Sequence, residues 1–198
     1  MSELKKFLLR KIMLIRQRNL PASYIEEASK NIQAQIFSSR LYQNAKKIFT
    51  YVSTPREPST IEIIEQAIDS GKEIYVPKCG NKNMLAVRIY DLKNLFPREL
   101  GILEPENCSE TLAANEFDLI IAPCLAASLD GQRLGHGAGY YDKFLAGSKN
   151  KNIICLCFQR MLYENIPMNN YDIFMPNVIT EIFDFDFNFN NLKKKGSF

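Results

Sequence analysis

Apolar positions along this chain change their spacing several times, and each change marks an element. Leu4, Phe7, Leu8, Ile12, Leu14 and Ile15 recur at three- and four-residue steps, so residues 3–18 read as a helix with an apolar stripe. Pro21 opens a second helical pattern with Ile25, Ala28, Ile32 and Ile36 as its buried face. The pattern then shortens to KKIFTYVS at 46–53, an apolar run rich in β-formers that Thr54 and Pro55 stop, as expected of a buried strand. Ser59 and Glu62 stand in a capping arrangement ahead of IIEQAI, and Gly71 falls where a helix C-cap belongs. EIYVP (73–77), MLAVRIY (84–90), FDLIIAP (117–123), NIICLCF (152–158) and NVITEI (177–182) are the further strand candidates. YYDKFLA starts one more helix at Tyr140.

Strands alternating with helices imply an α/β fold with a largely parallel central sheet covered on both faces. Neither an internal repeat nor a linker divides the chain, so residues 1–198 are expected to form one domain. From 183 to 189 phenylalanine alternates with Asp or Asn, which reads as an edge strand or hairpin arm. A frayed basic end follows it, up to 198, and a membrane or partner role for its lysines is the alternative reading.

Composition narrows the class without naming a function. With 46% hydrophobic and 24% charged residues the chain is ordinary for a soluble globular protein. A net charge of +3 argues only weakly for anionic ligands, and no stacking-aromatic motif of an RNA module is present, so nucleic acid is not an expected partner. The five cysteines at 79, 108, 124, 155 and 157 contain no Cys-x-x-Cys pair, which excludes a zinc ribbon and a thioredoxin motif. Cys155 and Cys157 share one strand face and read as buried thiols in a reducing cytoplasm. The positive N-terminus lacks the uninterrupted apolar core of a signal peptide, and no apolar run approaches the roughly 18 residues of a membrane span.

Chemistry concentrates in GQRLGHGAGYYDKFL, residues 131–145, which holds four of the nine glycines. It follows the strand candidate 117–123 and precedes a helix, and ligands of α/β sheets bind beyond the carboxyl ends of strands. Gly135, Gly137 and Gly139 are two apart, a spacing that lets backbone N–H groups curl into an anion nest. The stretch is neither a Walker loop nor a dinucleotide fingerprint, and spacing alone leaves nest and plain connection open. Arg133 supplies a guanidinium fork for phosphate oxygens. Asp142 suits either the positive end of a helix or a hard divalent cation such as Mg²⁺. Lys6 and Arg10, four apart and off the apolar stripe, read as a solvated basic face or as a phosphate clamp.

The segment APCLAASLDGQRLGHGAGYYDKFL resembles the signature of 5-formyltetrahydrofolate cyclo-ligases, and RLGHGAGYYD matches the family pattern R-L-G-x-G-x-G-Y-Y-D throughout. KFLLR (6–10), YVSTPREPST (51–60), GILEP (101–105), CFQRMLYENIP (157–167) and YDIFMPNVITE (171–181) are similar to other family segments, in the expected order. The resemblance implies a three-layer, Rossmann-like fold of the sugar-phosphate isomerase and CoA-transferase type. It further implies ATP- and Mg²⁺-dependent closure of 5-formyltetrahydrofolate to 5,10-methenyltetrahydrofolate with release of ADP and phosphate, in a cytoplasmic monomer.

Carried over by position, Lys6, Arg10, Arg133, Leu134, Gly135, His136, Gly137, Ala138, Gly139, Tyr140 and Tyr141 would meet ATP. Arg10, Val52, Glu57 and His136 to Tyr140 would meet the folate, and Asp142 and Asp172 the metal. Lys6, Arg133 and Tyr140 would be the catalytic groups. The chain departs from the family with Cys124, Ala127, Ser128 and Pro176, where Gly, Phe, Asp and a further Asp are usual. Rival readings are a non-catalytic nucleotide- or folate-binding homologue, a Cys–His hydrolase using Cys124 and His136, and a nucleic-acid binder acting through the basic N-terminal helix.

Overall fold

Short apolar runs in which successive residues are all buried form the centre of the protein, as in strands covered on both faces. The computed structural model describes residues 2–80, 83–98, 102–106 and 108–182. The expected tail element at 183–198 lies outside them. Three helices come first, α1 (Ser2–Arg18), α2 (Ala22–Ser38) and α3 (Arg40–Asn44), then β1 (Lys47–Thr50), α4 (Ile61–Asp69), β2 (Glu73–Gly80) and β3 (Asn83–Ile89). Short strands β4 (Leu95–Pro97), β5 (Leu103–Pro105) and β6 (Thr111–Leu112) lead to β7 (Leu119–Pro123). The remainder is β8 (Ala126–Ala127), β9 (Arg133–Leu134), α5 (Tyr140–Leu145), β10 (Ile153–Leu156) and β11 (Asn177–Ile179).

Seven strands make the main sheet in the order β11-β10-β7-β1-β2-β3-β6. The first five are parallel, with Phe49 opposite Ile120 and Ile154 opposite Ile121, whereas β3 and β6 close one edge antiparallel. This is the α/β fold with a mostly parallel sheet and flanking helices that the sequence implies. β1 leads outward to β2 on one side, and the chain returns to place β7 on its other side. The strand order therefore reverses between β1 and β7, and a crevice for ligands forms at such a switch point.

Core packing fixes what surrounds that crevice. Phe49 of β1 is fully buried and stacks on Phe117 and on Tyr141 of α5, with ring centroids 5.5 and 5.9 Å apart, while Phe144 lies 4.9 Å away. Two aromatic rings thus seat a six-residue helix that is too short to persist without tertiary contacts. Gly71 has φ 75° and ends α4 in a left-handed turn, as expected. Ser59 donates to Glu62 at 2.9 Å, but the N-cap position belongs to Thr60, whose hydroxyl instead binds the Tyr51 carbonyl at 2.6 Å. Helix α3 and strands β4, β5, β6, β8 and β9 were not expected, because elements of two to five residues carry no readable period.

One expectation is overturned. Residues 3–18 are helical, but the helix packs with the face opposite its apolar stripe: Lys6, Leu9, Met13 and Gln17 are buried, whereas Leu4, Phe7, Leu8, Ile12 and Ile15 are exposed. Lys6 is consequently no part of a solvated face. Its ammonium is held by Asp172, on the same inner side as buried Leu9 and Met13. Among the described residues no helix is long and apolar enough to cross a membrane.

Candidate functional site

Two loops leave the switch point, 51–60 after β1 and 124–139 after β7. The first is zipped shut by Ser53 and Thr60, which exchange hydrogen bonds between backbone N–H and hydroxyl at 3.1 and 3.0 Å. Tyr51 donates to the Pro58 carbonyl at 2.7 Å across the same loop. Val52 is buried at its base. Near its tip, Glu57 Oε2 accepts from the backbone N–H and hydroxyl of Thr54 at 2.9 and 2.8 Å, which sets the direction of the carboxylate. Glu57, Arg56 and Arg18 stand on the walls of a cleft of about 640 Å³ between α2 and this loop, and the glycine stretch does not line it.

The second loop begins as a hairpin of β8 and β9, with Ala127 opposite Arg133. Ser128 closes it, its N–H donating to the Gln132 carbonyl and its Oγ accepting from Gln132 N–H at 2.9 and 3.1 Å. The serine therefore supplies an acceptor where the family usually has a carboxylate. Ala127 is fully buried, and its carbonyl accepts from Tyr163 N–H at 2.9 Å. At the hairpin turn Gly131 has φ 89°, and a Cβ there would stand 2.3 Å from the Met175 carbonyl oxygen. The opening glycine is thus demanded by a turn and a close approach.

Beyond β9 the loop rises to the surface, and His136, Gly137 and Ala138 are exposed. Arg10 reaches across from α1 and donates from Nε to the Gly135 carbonyl at 3.0 Å, with its guanidinium beside Gly137. Gly139, at φ 67°, turns the chain into α5. Tyr140 is half-buried, while Tyr141 is buried with its hydroxyl unpaired, and burial raises its pKa well above the ordinary value.

Charged groups meet beneath this loop. Arg133 is buried and donates to Asp142 at 2.8 Å, lies over the Tyr141 ring and leaves its Nε without a partner. Asp142 uses its second oxygen to accept from Ile173 N–H at 3.2 Å. That bond brings the backbone next to Asp172 onto α5, and Asp172 in turn holds Lys6. Lys6, Arg10, Arg133, Asp142 and Asp172 therefore gather from three distant segments. Val52 and Glu57 come from the loop after the neighbouring strand.

Asp142 and Asp172 are two oxygen-donor side chains, and no group of three or more metal-ligating residues exists among the described residues. Carboxylate oxygens are the donor type that Mg²⁺ takes alongside waters and substrate phosphates, and here Asp142 is engaged by Arg133 and Ile173 N–H and Asp172 by Lys6 and Asn169 N–H. The proposed thiol nucleophile has no such setting. Cys124 donates to the Leu156 carbonyl at 3.3 Å, and no hydrogen bond joins it to exposed His136 among the described residues. The Cys155 thiol favours its ionised form, yet the Cys157 thiol and burial outweigh that and hold its pKa well above the usual range. Pro176 occupies an intermediate position beside β11.

Sequence reasoning overlooked the residues that hold the site in shape. Gln132 is one: its side-chain oxygen accepts from Ile166 N–H at 3.0 Å and ties the hairpin to the segment after β10. Ser53 and Thr60 are others. Gln132 lies far along the chain from Ile166, whereas Ser53 and Thr60 face each other across one loop, and none of the three belongs to a periodic pattern that would mark it.

A family model described as the 5-formyltetrahydrofolate cyclo-ligase family matches residues 2–181. A probable 5-formyltetrahydrofolate cyclo-ligase of Caenorhabditis elegans is 33% identical over 173 residues, covering 79% of this chain and 84% of its own. The 5-formyltetrahydrofolate cyclo-ligase of Haemophilus influenzae is 29% identical, covering 78% and 86%. Among solved structures, the Aquifex aeolicus 5,10-methenyltetrahydrofolate synthetase superposes with a TM-score of 0.79 at 26% identity, covering 90% of both chains. A Mycoplasma pneumoniae 5,10-methenyltetrahydrofolate synthetase at 17% identity, with a TM-score of 0.71, shares the fold over 89% of this chain and 98% of its own.

Proposed function

The chain belongs to the 5-formyltetrahydrofolate cyclo-ligase family, and we propose that its residues divide the ATP-dependent conversion of 5-formyltetrahydrofolate to 5,10-methenyltetrahydrofolate between the two loops at the switch point. The formyl oxygen takes the γ-phosphoryl group of ATP and ADP departs. N10 of the folate then attacks the activated carbon, phosphate leaves with the former formyl oxygen, and the N10 proton is lost.

Such a reaction asks the protein for position and charge compensation more than for a covalent nucleophile. Arg10 and Lys6 line the α1 side of the glycine loop, and Arg133 lies beneath it. Together they offer three cations to the triphosphate. The backbone N–H groups of the exposed residues 136–138 would supply neutral donors at the same place. Before substrate arrives Asp172 and Asp142 hold Lys6 and Arg133, so two of these cations are oriented in advance. Asp142 and Asp172 would hold Mg²⁺, whose chemistry when bound is to neutralise phosphate charge and orient the γ-phosphoryl group.

Glu57 accepts the N–H donors of the pterin edge, with Val52 packing beside the ring. Tyr140 stands at the seam where the two substrates meet. The observation that carries the reading is the gathering of Lys6, Arg133, Asp142 and Asp172 under the glycine loop, linked through the Asp142–Ile173 bond. Purified protein mixed with 5-formyltetrahydrofolate, ATP and Mg²⁺ should develop the absorbance of methenyltetrahydrofolate. Intact ATP binding without product would sink the enzymatic reading and leave a binding homologue.

A further inference from the structure

Glu104 is a buried carboxylate to which neither the resemblance nor the reaction above gives a role. It lies on β5, opposite Phe96 of β4, and is only 8% exposed. Its Oε1 accepts from the Cys79 backbone N–H at 3.1 Å. Its Oε2 accepts no hydrogen bond among the described residues. There, the unpaired side-chain atoms sealed from solvent belong to Gln35, Arg133 and Tyr141, so Oε2 of Glu104 keeps an opening to solvent. A carboxylate this buried is costly unless donors meet its oxygens, and one oxygen is left without any.

The sheet shows where Glu104 stands. Glu73 of β2 donates from its backbone N–H to the Lys46 carbonyl at 2.8 Å, on the β1 side. Backbone N–H groups an even number of residues apart along a strand point to the same side, so the Cys79 N–H also faces the β1 side. By that level β1 has ended at Thr50 and the chain has turned into loop 51–60. Glu104 takes the place that a further residue of β1 would fill, between the carboxyl end of β2 and the loop that carries Val52 and Glu57. Burial chiefly raises the Tyr141 pKa, and Cys79 and Glu57 add to it, so both lie within electrostatic reach of the ring under the glycine loop.

We propose that Glu104 is a folate-binding residue whose free oxygen accepts N8–H of the reduced pterin ring. This rests on the reading that Glu57 takes the amino group and N3–H at the pyrimidine edge. N5 carries the formyl group and N10–H lies outside the ring, so N8–H is the donor that the ring has left. An oxidised ring has a lone pair at N8 in place of the hydrogen, and a carboxylate repels it. Glu104 thereby makes the pocket select tetrahydrofolates over oxidised folates.

Direct titration of the full-length protein without ATP tests the contact apart from turnover. The 8-deaza analogue of 5-formyltetrahydrofolate, with CH₂ in place of N8–H, should bind the native chain about tenfold more weakly than the substrate or worse, the loss expected of one hydrogen bond to a charged group. Glu104→Gln keeps an acceptor for the Cys79 N–H, so its melting temperature should be native. In that variant the substrate should weaken about tenfold and its advantage over the analogue should disappear. Equal binding of the two ligands by the native chain overturns the proposal and needs no variant. So does an advantage that survives in Glu104→Gln, even with both ligands weakened, which would make the residue a support for β2 alone. A native chain that binds no 5-formyltetrahydrofolate ends the folate reading itself, whereas binding without discrimination ends only this inference.

Discussion

Asp142 accepts a hydrogen bond from the backbone of Ile173, thirty-one residues later, while its other oxygen holds Arg133. One carboxylate on a six-residue helix thereby fastens the segment carrying Asp172 to the glycine loop. The proposed metal ligands Asp142 and Asp172 are joined through that bond.

Replacing Asp142 with Asn keeps an acceptor for Ile173 but removes the charge. Steady-state assays should show a large rise in the ATP and Mg²⁺ requirement with folate affinity little changed. Thermal melts should show a stability loss of about 1–3 kcal/mol, because buried Arg133 loses its counter-ion. Equal loss of ATP and folate binding would make the residue structural only.

Lys6→Ala leaves Asp172 largely buried without its cation. Breaking one side of such a pair costs about 3–5 kcal/mol, so this variant should be less stable than Lys6→Ala combined with Asp172→Ala in denaturant titrations. Both variants should need more ATP for half-maximal turnover. An unchanged ATP dependence would remove Lys6 from the phosphate site.

Gly131→Ala places a Cβ against the Met175 carbonyl at a backbone angle that L residues rarely adopt. Strain and overlap together should cost about 3 kcal/mol or more. The loss should appear in equilibrium unfolding and as faster amide exchange at Met175, whose N–H donates to the Gly131 carbonyl.

Asp118 anchors the start of β1 by accepting from the N–H groups of Lys47 and Lys46 at 2.8 and 2.9 Å. The Lys47 bond, chiefly, lowers its pKa below the ordinary carboxylate value. A lowered native pKa means a stabilising contribution that is complete above the unfolded value near 3.9 and is lost as pH falls through the native one. The stability gap between the native chain and Asp118→Asn should therefore be widest above about pH 5 and shrink in acid. A gap independent of pH would contradict this.

Cys124→Ala should keep most turnover, since the thiol faces the Leu156 carbonyl and not a base. In the folded protein a thiol reagent should modify exposed Cys108 quickly and the buried Cys124, Cys155 and Cys157 only on unfolding. Fast modification of Cys124 would reopen the nucleophile reading.

Much of this protein was legible in one dimension. The buried strands β1, β7 and β10 show as apolar runs because a strand covered on both faces has no polar side. Gly71 marks a helix end through its own backbone freedom. The ten residues from Arg133 to Asp142 carry the family resemblance, because its glycines and polar residues are adjacent in the chain. Local requirements of this kind are written in consecutive residues.

Tertiary structure decided the rest. Helical periodicity revealed a stripe on α1 but not which side would meet the body, and the buried side carries Leu9, Met13 and Lys6, the last paired with Asp172, 166 residues away. Gln132 bracing Ile166 and Asp142 fastening Ile173 are likewise contacts between distant segments. A sequence states which residue types are present and how they recur. Which polar groups find each other in the interior is settled only when burial forces each to take a partner.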